Sequence, residues 1–263
     1  MLELYQFELS QYSEKVRLIL DYKGLEYKKI EVTPGVGQLE LFRLSGQRQV
    51  PVLKDGDTIV TDSTEIALYL DRKYPEKPII PTDPLEKGQC LLIEEWADES
   101  IALKGRKAFV GALNQYQNFR TSILPQDTPD LLKNLVGAVP PDLLNFLGTG
   151  VGYSREAIAE AERGLKQDLE ALSLILKQRP YLVGNTITLA DLAVAGLSMI
   201  IKIPEGSYLD LPEQLKGKGI PGLADNVAYE PFFNWRKLLY TGHRKPMFST
   251  DRRDSSPTKI NID

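Results

Sequence analysis

The sequence predicts a small α+β domain followed by an all-α domain. Within the first 75 residues, short apolar strands and helical stretches alternate in the order β-α-β-α-β-β-α, whereas hardly any strand pattern follows residue 85. Between the two parts, residues 74–84 hold four prolines in eleven positions, which is typical of a linker. We therefore expect residues 1–76 to form the first domain, 77–86 the linker and 87–248 the second domain.

The elements of the first domain follow from periodicity and turn residues. Val16, Ile19 and Leu20 share one helical face, and Gly24 suits the end of that helix. The Asp-Gly pair at 55–56 predicts a hairpin turn, because both residues tolerate the positive φ that tight turns need. The other predicted elements are strands at 2–7, 27–32, 50–53 and 58–60, a weak helix at 38–44 and a helix from 61 to 74.

Apolar residues at helical spacing predict the elements of the second domain. The predicted helices are 85–116 with a bend near Gly105, 154–177, 188–201 and 231–240. Residues 118–153, rich in proline and glycine, form an insert that either covers a pocket or adds packing. The polar tail at 249–263 is expected to be disordered.

Composition and charge exclude several classes of protein. The chain has 263 residues, 42% of them hydrophobic, and a formal net charge of −4, which is ordinary for a globular protein. No apolar run approaches the roughly 18 residues of a transmembrane helix, and the first residues lack the basic segment of a secretory signal. We expect a cytoplasmic protein without a membrane partner, and the acidic balance argues against nucleic acid.

The chain has one cysteine and one histidine, which limits its chemistry. Cys90 alone makes neither an internal disulfide nor a structural zinc site, and we expect no metal. A catalytic triad would have to use His243, which is more simply a surface residue near the tail. The sequence has neither a P-loop nor an HExxH motif. Any catalytic chemistry must therefore use hydroxyls, carboxylates, backbone amides or a bound small molecule.

Three motifs of the first domain, SQYSEKVR at 10–17, QRQVPVL at 47–53 and TDSTEI at 61–66, together resemble the glutathione S-transferase family. The stretch 10–17, SQYSEKVR, is similar to the first helical turn of its thioredoxin-like domain in the classes that use serine. Residues 47–53, QRQVPVL, resemble the loop before its cis-proline strand, and residues 61–66, TDSTEI, resemble its third helix start. In the second domain, residues 181–196 resemble the family's folding signature, where Asp191 is structural. The resemblance covers about residues 1–117 and 154–245.

The resemblance implies that Ser10 stabilises the thiolate of bound glutathione. A strand-to-helix turn offers free N–H groups to an anion, and a hydroxyl that donates to sulfur lowers the thiol pKa. Tyr12 or Tyr5 is the alternative hydroxyl, and Tyr12 is also placed among the binding residues. The remaining alternative is that Ser10 only caps the helix, although Ser13 lies nearer the apolar run and is the better pure cap.

The other two motifs imply the rest of the glutathione site. If Val50–Pro51 is cis, the Val50 backbone is free to pair with the cysteinyl amide. Asp62 suits the ammonium of the γ-glutamyl group, and Ser63 with the helix amides suits its carboxylate. The simpler readings are a trans proline on an edge strand and an ordinary pair of capping residues.

One position departs from the family. Many relatives carry a lysine two residues before the cis-proline, where this chain has Gln49, preceded by Arg48. Either Arg48 or Gln49 holds the glycyl carboxylate of glutathione, or Arg48 is a solvated surface charge.

The resemblance implies a glutathione transferase that acts on a small hydrophobic electrophile, with a role in detoxification. The electrophile would lie near Trp96 or Arg106, and the reaction stays open among conjugation, isomerisation, dehalogenation, ether cleavage and peroxide reduction. Glutaredoxin-type reduction is disfavoured because position 10 is not cysteine. Relatives form homodimers, and we expect one here. The alternatives are a non-catalytic ligand-binding or scaffold protein and a serine hydrolase, which lacks a GxSxG motif.

Overall fold

The computed structural model describes residues 1–33, 36–122 and 153–247. The first domain begins with strand β1 (Leu2–Gln6), helix α1 (Gln11–Lys23), strand β2 (Tyr27–Glu31) and helix α2 (Val36–Ser45). A hairpin of β3 (Val52–Asp55) and β4 (Thr58–Thr61) follows, and helix α3 (Ser63–Lys73) closes the domain. The predicted β-α-β-α-β-β-α order is confirmed.

The four strands form one mixed sheet in the order β2-β1-β3-β4. β1 pairs with β2 in parallel and with β3 in antiparallel, with Leu4 opposite Leu53 in the second pairing. Gly56 turns the β3–β4 hairpin at φ 61°, as the Asp-Gly pair predicted. Strand β3 begins at Val52 and not at the predicted residue 50, because Pro51 has no N–H to donate to a ladder.

In its described part, the second domain combines α-helices with irregular segments, two 3₁₀ turns (Glu213–Leu215 and Val227–Tyr229) and one isolated bridge. It comprises α4 (Pro84–Trp96), a π-helical segment (Ala97–Ala102), α5 (Leu103–Gln115), α6 (Gln117–Ser122), α7 (Arg155–Leu176), α8 (Leu189–Leu197) and α9 (Glu230–His243). The predicted long helix at 85–116 is therefore interrupted at 97–102, not at Gly105. Gly105 instead packs against Ile200 and Ile201, where a Cβ would lie 3.5 Å from the Ile201 side chain.

The two domains pack through α1 and α8. Gly196 of α8 lies so close to α1 that an added Cβ would stand 2.6 Å from the Lys15 Cα, so a larger residue does not fit without movement. α8 begins with the predicted structural aspartate: Asp191 accepts from the Thr188 N–H at 2.9 Å and from the Leu182 N–H at 2.8 Å. Burial raises the pKa of the Asp191 carboxyl to about 6, although these N–H groups oppose the shift.

The boundaries proposed for the two domains and the linker stay a prediction. Most of the predicted insert at 118–153 and all of the predicted tail at 249–263 lie outside the described residues. Helix α8 ends at Leu197, before the predicted residue 201, and α9 extends to His243, beyond the predicted residue 240.

Candidate functional site

Ser10 stands at the point where β1 gives way to α1. It is the N-cap of α1, and its Oγ accepts from the Ser13 N–H at 3.2 Å. Ser10 in turn donates its own N–H to the Phe7 carbonyl at 2.9 Å, which fixes the turn. Since the Oγ acts as an acceptor here, its hydrogen is left to donate. Capping and thiolate stabilisation are therefore compatible roles for one hydroxyl.

The expectation that Ser13 is the better cap is wrong. Ser13 lies in the third position of α1, its side chain is buried, and within the described residues its Oγ has no hydrogen-bond partner. The helix begins before its first apolar residue, because Gln11 is anchored by a hydrogen bond from its Nε2 to the Ala102 carbonyl at 2.7 Å. That tertiary contact supports a first turn that periodicity alone does not reveal.

The Tyr12 side chain, in the first turn of α1, contacts the second domain. Its hydroxyl donates to the Asp98 carbonyl at 3.4 Å, and the Arg106 guanidinium lies 5.9 Å from its ring centroid. Burial and then the Asp98 carboxylate raise the pKa of Tyr12, so it stays a neutral donor. Tyr5, the other alternative hydroxyl, packs against a separate apolar cluster under β3 (Val32, Leu41 and Val52).

The Val50–Pro51 peptide is cis, which confirms the prediction from the QRQVPVL motif. Val50 precedes the β3 ladder, whose pairing starts at Val52. Arg48 and Gln49 are both exposed, and the Arg48 guanidinium lies 5.6 Å from the Phe42 ring centroid. The geometry leaves both Arg48 and Gln49 accessible to a carboxylate, and the choice between them stays a prediction.

Asp62 and Ser63 form the start of α3. Asp62 has φ 71°, in the left-handed region that few residues other than glycine adopt, and its Oδ1 caps the N–H groups of Thr64 at 2.8 Å and Glu65 at 3.1 Å. The capping residue is thus Asp62, whereas the Ser63 Oγ accepts from the Lys15 ammonium at 3.3 Å. A non-glycine residue in this conformation at a helix start supports a functional role for the turn.

A buried ammonium connects this turn to both domains. The Lys15 side chain is fully buried, and its Nζ lies 3.1 Å from the Thr64 hydroxyl and 2.9 Å from the Asp98 carboxylate. It also forms a short hydrogen bond to the Glu94 carboxylate. Burial raises the pKa of Asp98, and the Lys15 charge opposes that rise. We name Lys15, Ser63, Thr64, Glu94 and Asp98 the Lys15 cluster.

Sequence reasoning missed the Lys15 cluster. Lys15 stood inside the quoted motif, but its partners lie about 50 and 80 positions away. Glu94 and Asp98 recur at i and i+4, which puts both carboxylates on one helical face, and that spacing was the available signal. The π-helical segment carries Asp98, and such segments often occur at functional sites.

A second buried charge cluster lies on another face of α1. The Arg244 guanidinium, just after α9, donates to Glu14 at 3.0 Å and also contacts Asp21. Arg17 donates from its Nε to the Glu14 carboxylate at 2.6 Å. These four side chains are fully buried (Glu14, Arg17, Asp21 and Arg244), and we name them the Arg244 cluster. It joins the end of the helical domain to the first domain.

The loop before Ser10 is tied to this cluster through Glu8. The Glu8 carboxylate accepts from Arg17 at 3.2 Å, from the Asp210 N–H at 2.8 Å and from Gln6 at 2.9 Å, and Lys29 lies 3.5 Å away. Burial alone would raise the pKa of Glu8, but the charges of Arg17 and Lys29 overcome it and lower this pKa to about 2.

Because the folded-state pKa of Glu8 lies below its ordinary value of 4.5, ionised Glu8 stabilises the fold. We expect its contribution to be complete above pH 4.5 and to disappear as the pH falls toward 2. The measurement is the free energy of unfolding of Glu8→Gln and of the parent protein between pH 7 and pH 2. The difference should be largest at pH 7 and should shrink with acid.

Glu26→Gln is the control for this acid dependence, since the Glu26 side chain is 89% exposed. Its unfolding free energy should follow that of the parent protein throughout the titration. A difference for Glu8→Gln that stayed constant from pH 7 to pH 2 would contradict the depressed pKa.

The two residues expected to lie near the electrophile, Arg106 and Trp96, differ in how exposed they are. Arg106 is exposed and faces Tyr12, whereas Trp96 is half-buried and packs against the main core. Within the described residues, no group of three metal-ligating side chains is present. No described helix has both the length and the hydropathy to cross a membrane.

Comparison with known proteins decides the family. The family model for the glutathione S-transferase N-terminal domain matches residues 4–78, and that for the C-terminal domain matches residues 133–217. Glutathione S-transferase 1 of Dianthus caryophyllus is 32% identical over 218 residues, which cover 81% of each chain. This chain belongs to the glutathione S-transferase family. The resemblance drawn from its motifs is therefore confirmed, as is the predicted fold class.

Two further proteins are similar to this chain. A zeta-class glutathione S-transferase of Euphorbia esula is 27% identical over 196 residues, or 73% of this chain and 72% of the relative. The crystal structure of the beta-etherase LigF from Sphingobium superposes with a TM-score of 0.59 at 24% identity, covering 89% of this chain and 98% of that one. This structural likeness shows the shared fold, and the family as a whole supports glutathione-dependent transferase activity.

Proposed function

We propose that this glutathione S-transferase activates the thiol of glutathione for attack on a small hydrophobic electrophile. The observation that carries the proposal is the Ser10 hydroxyl at the N-terminus of α1, which accepts from the Ser13 N–H and keeps its hydrogen for a sulfur atom. A hydroxyl that donates to a thiolate favours the charged form and so lowers the thiol pKa. The N-terminal end of α1 adds a favourable dipole for the same charge.

The remaining binding residues follow from the geometry around that hydroxyl. The cis peptide before Pro51 supports Val50 as the backbone partner of the cysteinyl amide. The left-handed turn at Asp62 supports Asp62 and Ser63 as the γ-glutamyl site, with the Asp62 Oδ2, which accepts no hydrogen bond from the described residues, for the ammonium. Tyr12 borders the site, and Arg48 or Gln49 takes the far carboxylate.

The similar proteins suggest which electrophile to test first. One solved structure of the same fold is that of a beta-etherase, and a sequence relative belongs to the zeta class. An ether is therefore the first electrophile to test, beside a general aromatic halide. Arg106 and Tyr12 would line its side of the site.

We also propose a homodimer in the cytoplasm with a role in detoxification. α4 presents Leu85 and Leu92, seven positions apart on one helical face, with 70% and 72% of each side chain exposed. Two leucines exposed to this extent on one face suit an apolar contact with a second copy.

The test is the ultraviolet absorbance of the glutathione thiolate, titrated from pH 5 to 9 with Ser10→Ala and the parent protein. In the parent protein we expect bound glutathione to ionise below the roughly 8.5 of a free thiol. Losing one charge-assisted hydrogen bond, worth about 1.5–3 kcal/mol, should raise the pKa of the bound thiol by about 1–2 units in Ser10→Ala.

Ser13→Ala is the matched control, because Ser13 is buried in the same helix and its hydroxyl has no partner within the described residues. It should leave the thiol pKa unchanged. Glutathione that binds to the parent protein without a thiolate band would favour the non-catalytic alternative. Equal thiol pKa values in Ser10→Ala and the parent protein would remove Ser10 from the mechanism.

A further inference from the structure

A cavity of about 240 Å³ lies in the helical domain. It is bounded by α9 and by the segment 202–208, which follows α8. None of the residues proposed for glutathione lines it. Its lining includes the charged side chains of Lys202, Glu205, Arg236 and Lys237 and the aromatic rings of Tyr208 and Phe233.

The lining of this cavity carries more positive than negative charge, with three cations (Lys202, Arg236 and Lys237) beside the one carboxylate of Glu205. Arg236 is 4% exposed, and its guanidinium donates to the Ser198 carbonyl at 2.8 Å and to the Lys202 carbonyl. Across the described residues, neither Arg236 nor Lys202 forms an ion pair with a carboxylate, whereas Lys237 pairs with Glu205 at 2.7 Å. Burial lowers the pKa of Arg236 to about 10, so its charge is held at a cost that a bound anion would reduce.

The same cavity offers aromatic surface. The Lys202 ammonium and the Arg236 guanidinium each lie 5.2 Å from the Phe233 ring centroid. Tyr208 packs edge-on against Tyr240, with 5.4 Å between the ring centroids. Aromatic rings therefore lie directly beside two cations that form no ion pair with a carboxylate among the described residues.

The volume sets the size of the occupant. An apolar cavity of about 150 Å³ holds benzene, so a cavity of 240 Å³ suits one ring with small substituents. We propose that this cavity binds a small aromatic carboxylate, whose ring packs against Tyr208 and Phe233 and whose carboxylate lies at Lys202 and Arg236. Such a site is separate from the proposed glutathione chemistry.

The test is calorimetric titration of 4-hydroxybenzoate, and of its neutral isostere 4-hydroxybenzamide, into the full chain saturated with glutathione. We expect the carboxylate to bind at least about tenfold more tightly than the amide. Lys202→Met should weaken carboxylate binding by a similar factor. The Lys202 carbonyl still accepts from Arg236 in that variant, so the loop keeps its main-chain contact.

Lys166→Met is the matched control, because Lys166 is exposed on α7 and lies outside the cavity lining. Glu205→Gln is expected to have the opposite effect on affinity. It removes a carboxylate from the cavity lining and should tighten carboxylate binding about two- to threefold. Equal affinities of the acid and the amide would overturn the proposal. So would equal carboxylate affinities of Lys202→Met and Lys166→Met.

Discussion

Arg244→Met is expected to lower the free energy of unfolding by about 3–5 kcal/mol. The Arg244 guanidinium lies 3.0 Å from one oxygen of Glu14 and 3.3 Å from the other, contacts Asp21 and donates to the Tyr208 carbonyl at 3.1 Å. Glu14 and Asp21 are fully buried beside it. Removing the guanidinium leaves two carboxylates inside the protein with less compensation, which is costlier than losing the ion pairs themselves.

The measurement is urea unfolding, with the midpoint and the slope both compared with those of the parent protein. Lys245→Met is the control, because Lys245 is the neighbouring cation but its pair with Glu26 is exposed. An exposed pair of this kind contributes at most about 1 kcal/mol. A loss for Arg244→Met no larger than that of Lys245→Met would show that the Arg244 cluster contributes little to stability.

Lys15→Met is expected to lower both stability and affinity for glutathione. It removes the only cation of the Lys15 cluster and leaves Glu94 and Asp98 facing each other, and breaking a buried pair costs about 3–5 kcal/mol. It also removes the donor that holds the Ser63 hydroxyl at 3.3 Å, so the proposed γ-glutamyl site loses its fixed orientation. The measurements are urea unfolding and the dissociation constant of glutathione.

Lys23→Met separates the two effects. Lys23 is a buried lysine of the same helix, it pairs with Asp71 at 3.2 Å, and none of its hydrogen-bond partners belongs to the proposed glutathione site. It should lower the unfolding free energy while leaving glutathione affinity unchanged. If Lys15→Met and Lys23→Met both kept the affinity of the parent protein, Lys15 would be a structural residue only.

Local sequence patterns were sufficient to predict most of the secondary structure of the first domain. The Asp-Gly turn, the apolar face that ends at Gly24 and the QRQVPVL motif predicted the hairpin, α1 and the cis peptide. Each of these depends on residues that are neighbours in the chain, so periodicity and turn chemistry reveal them. The motifs likewise named Ser10, Asp62 and Ser63 as candidates, and the structure places each of the three at a helix N-terminus.

The errors share a physical cause. Ser13 was preferred as the cap because apolar periodicity starts late, but the Gln11 contact to the Ala102 carbonyl supports an earlier turn. The long helix was expected to bend near Gly105, whereas the interruption falls at Ala97–Ala102, which accepts hydrogen bonds from two side chains of α1. In both cases a contact about 90 positions away outweighs the local pattern.

By itself, the sequence determined the order of elements, the family and the helix starts that present Ser10 and Asp62, because these follow from local patterns. Only the tertiary structure decided which charges are buried together. Glu14 and Arg244 are 230 positions apart, and Lys15 meets Glu94 across the domain boundary. A lysine or arginine has the same chemistry on a surface and in a core, so its partner is known only when the fold has brought the two together.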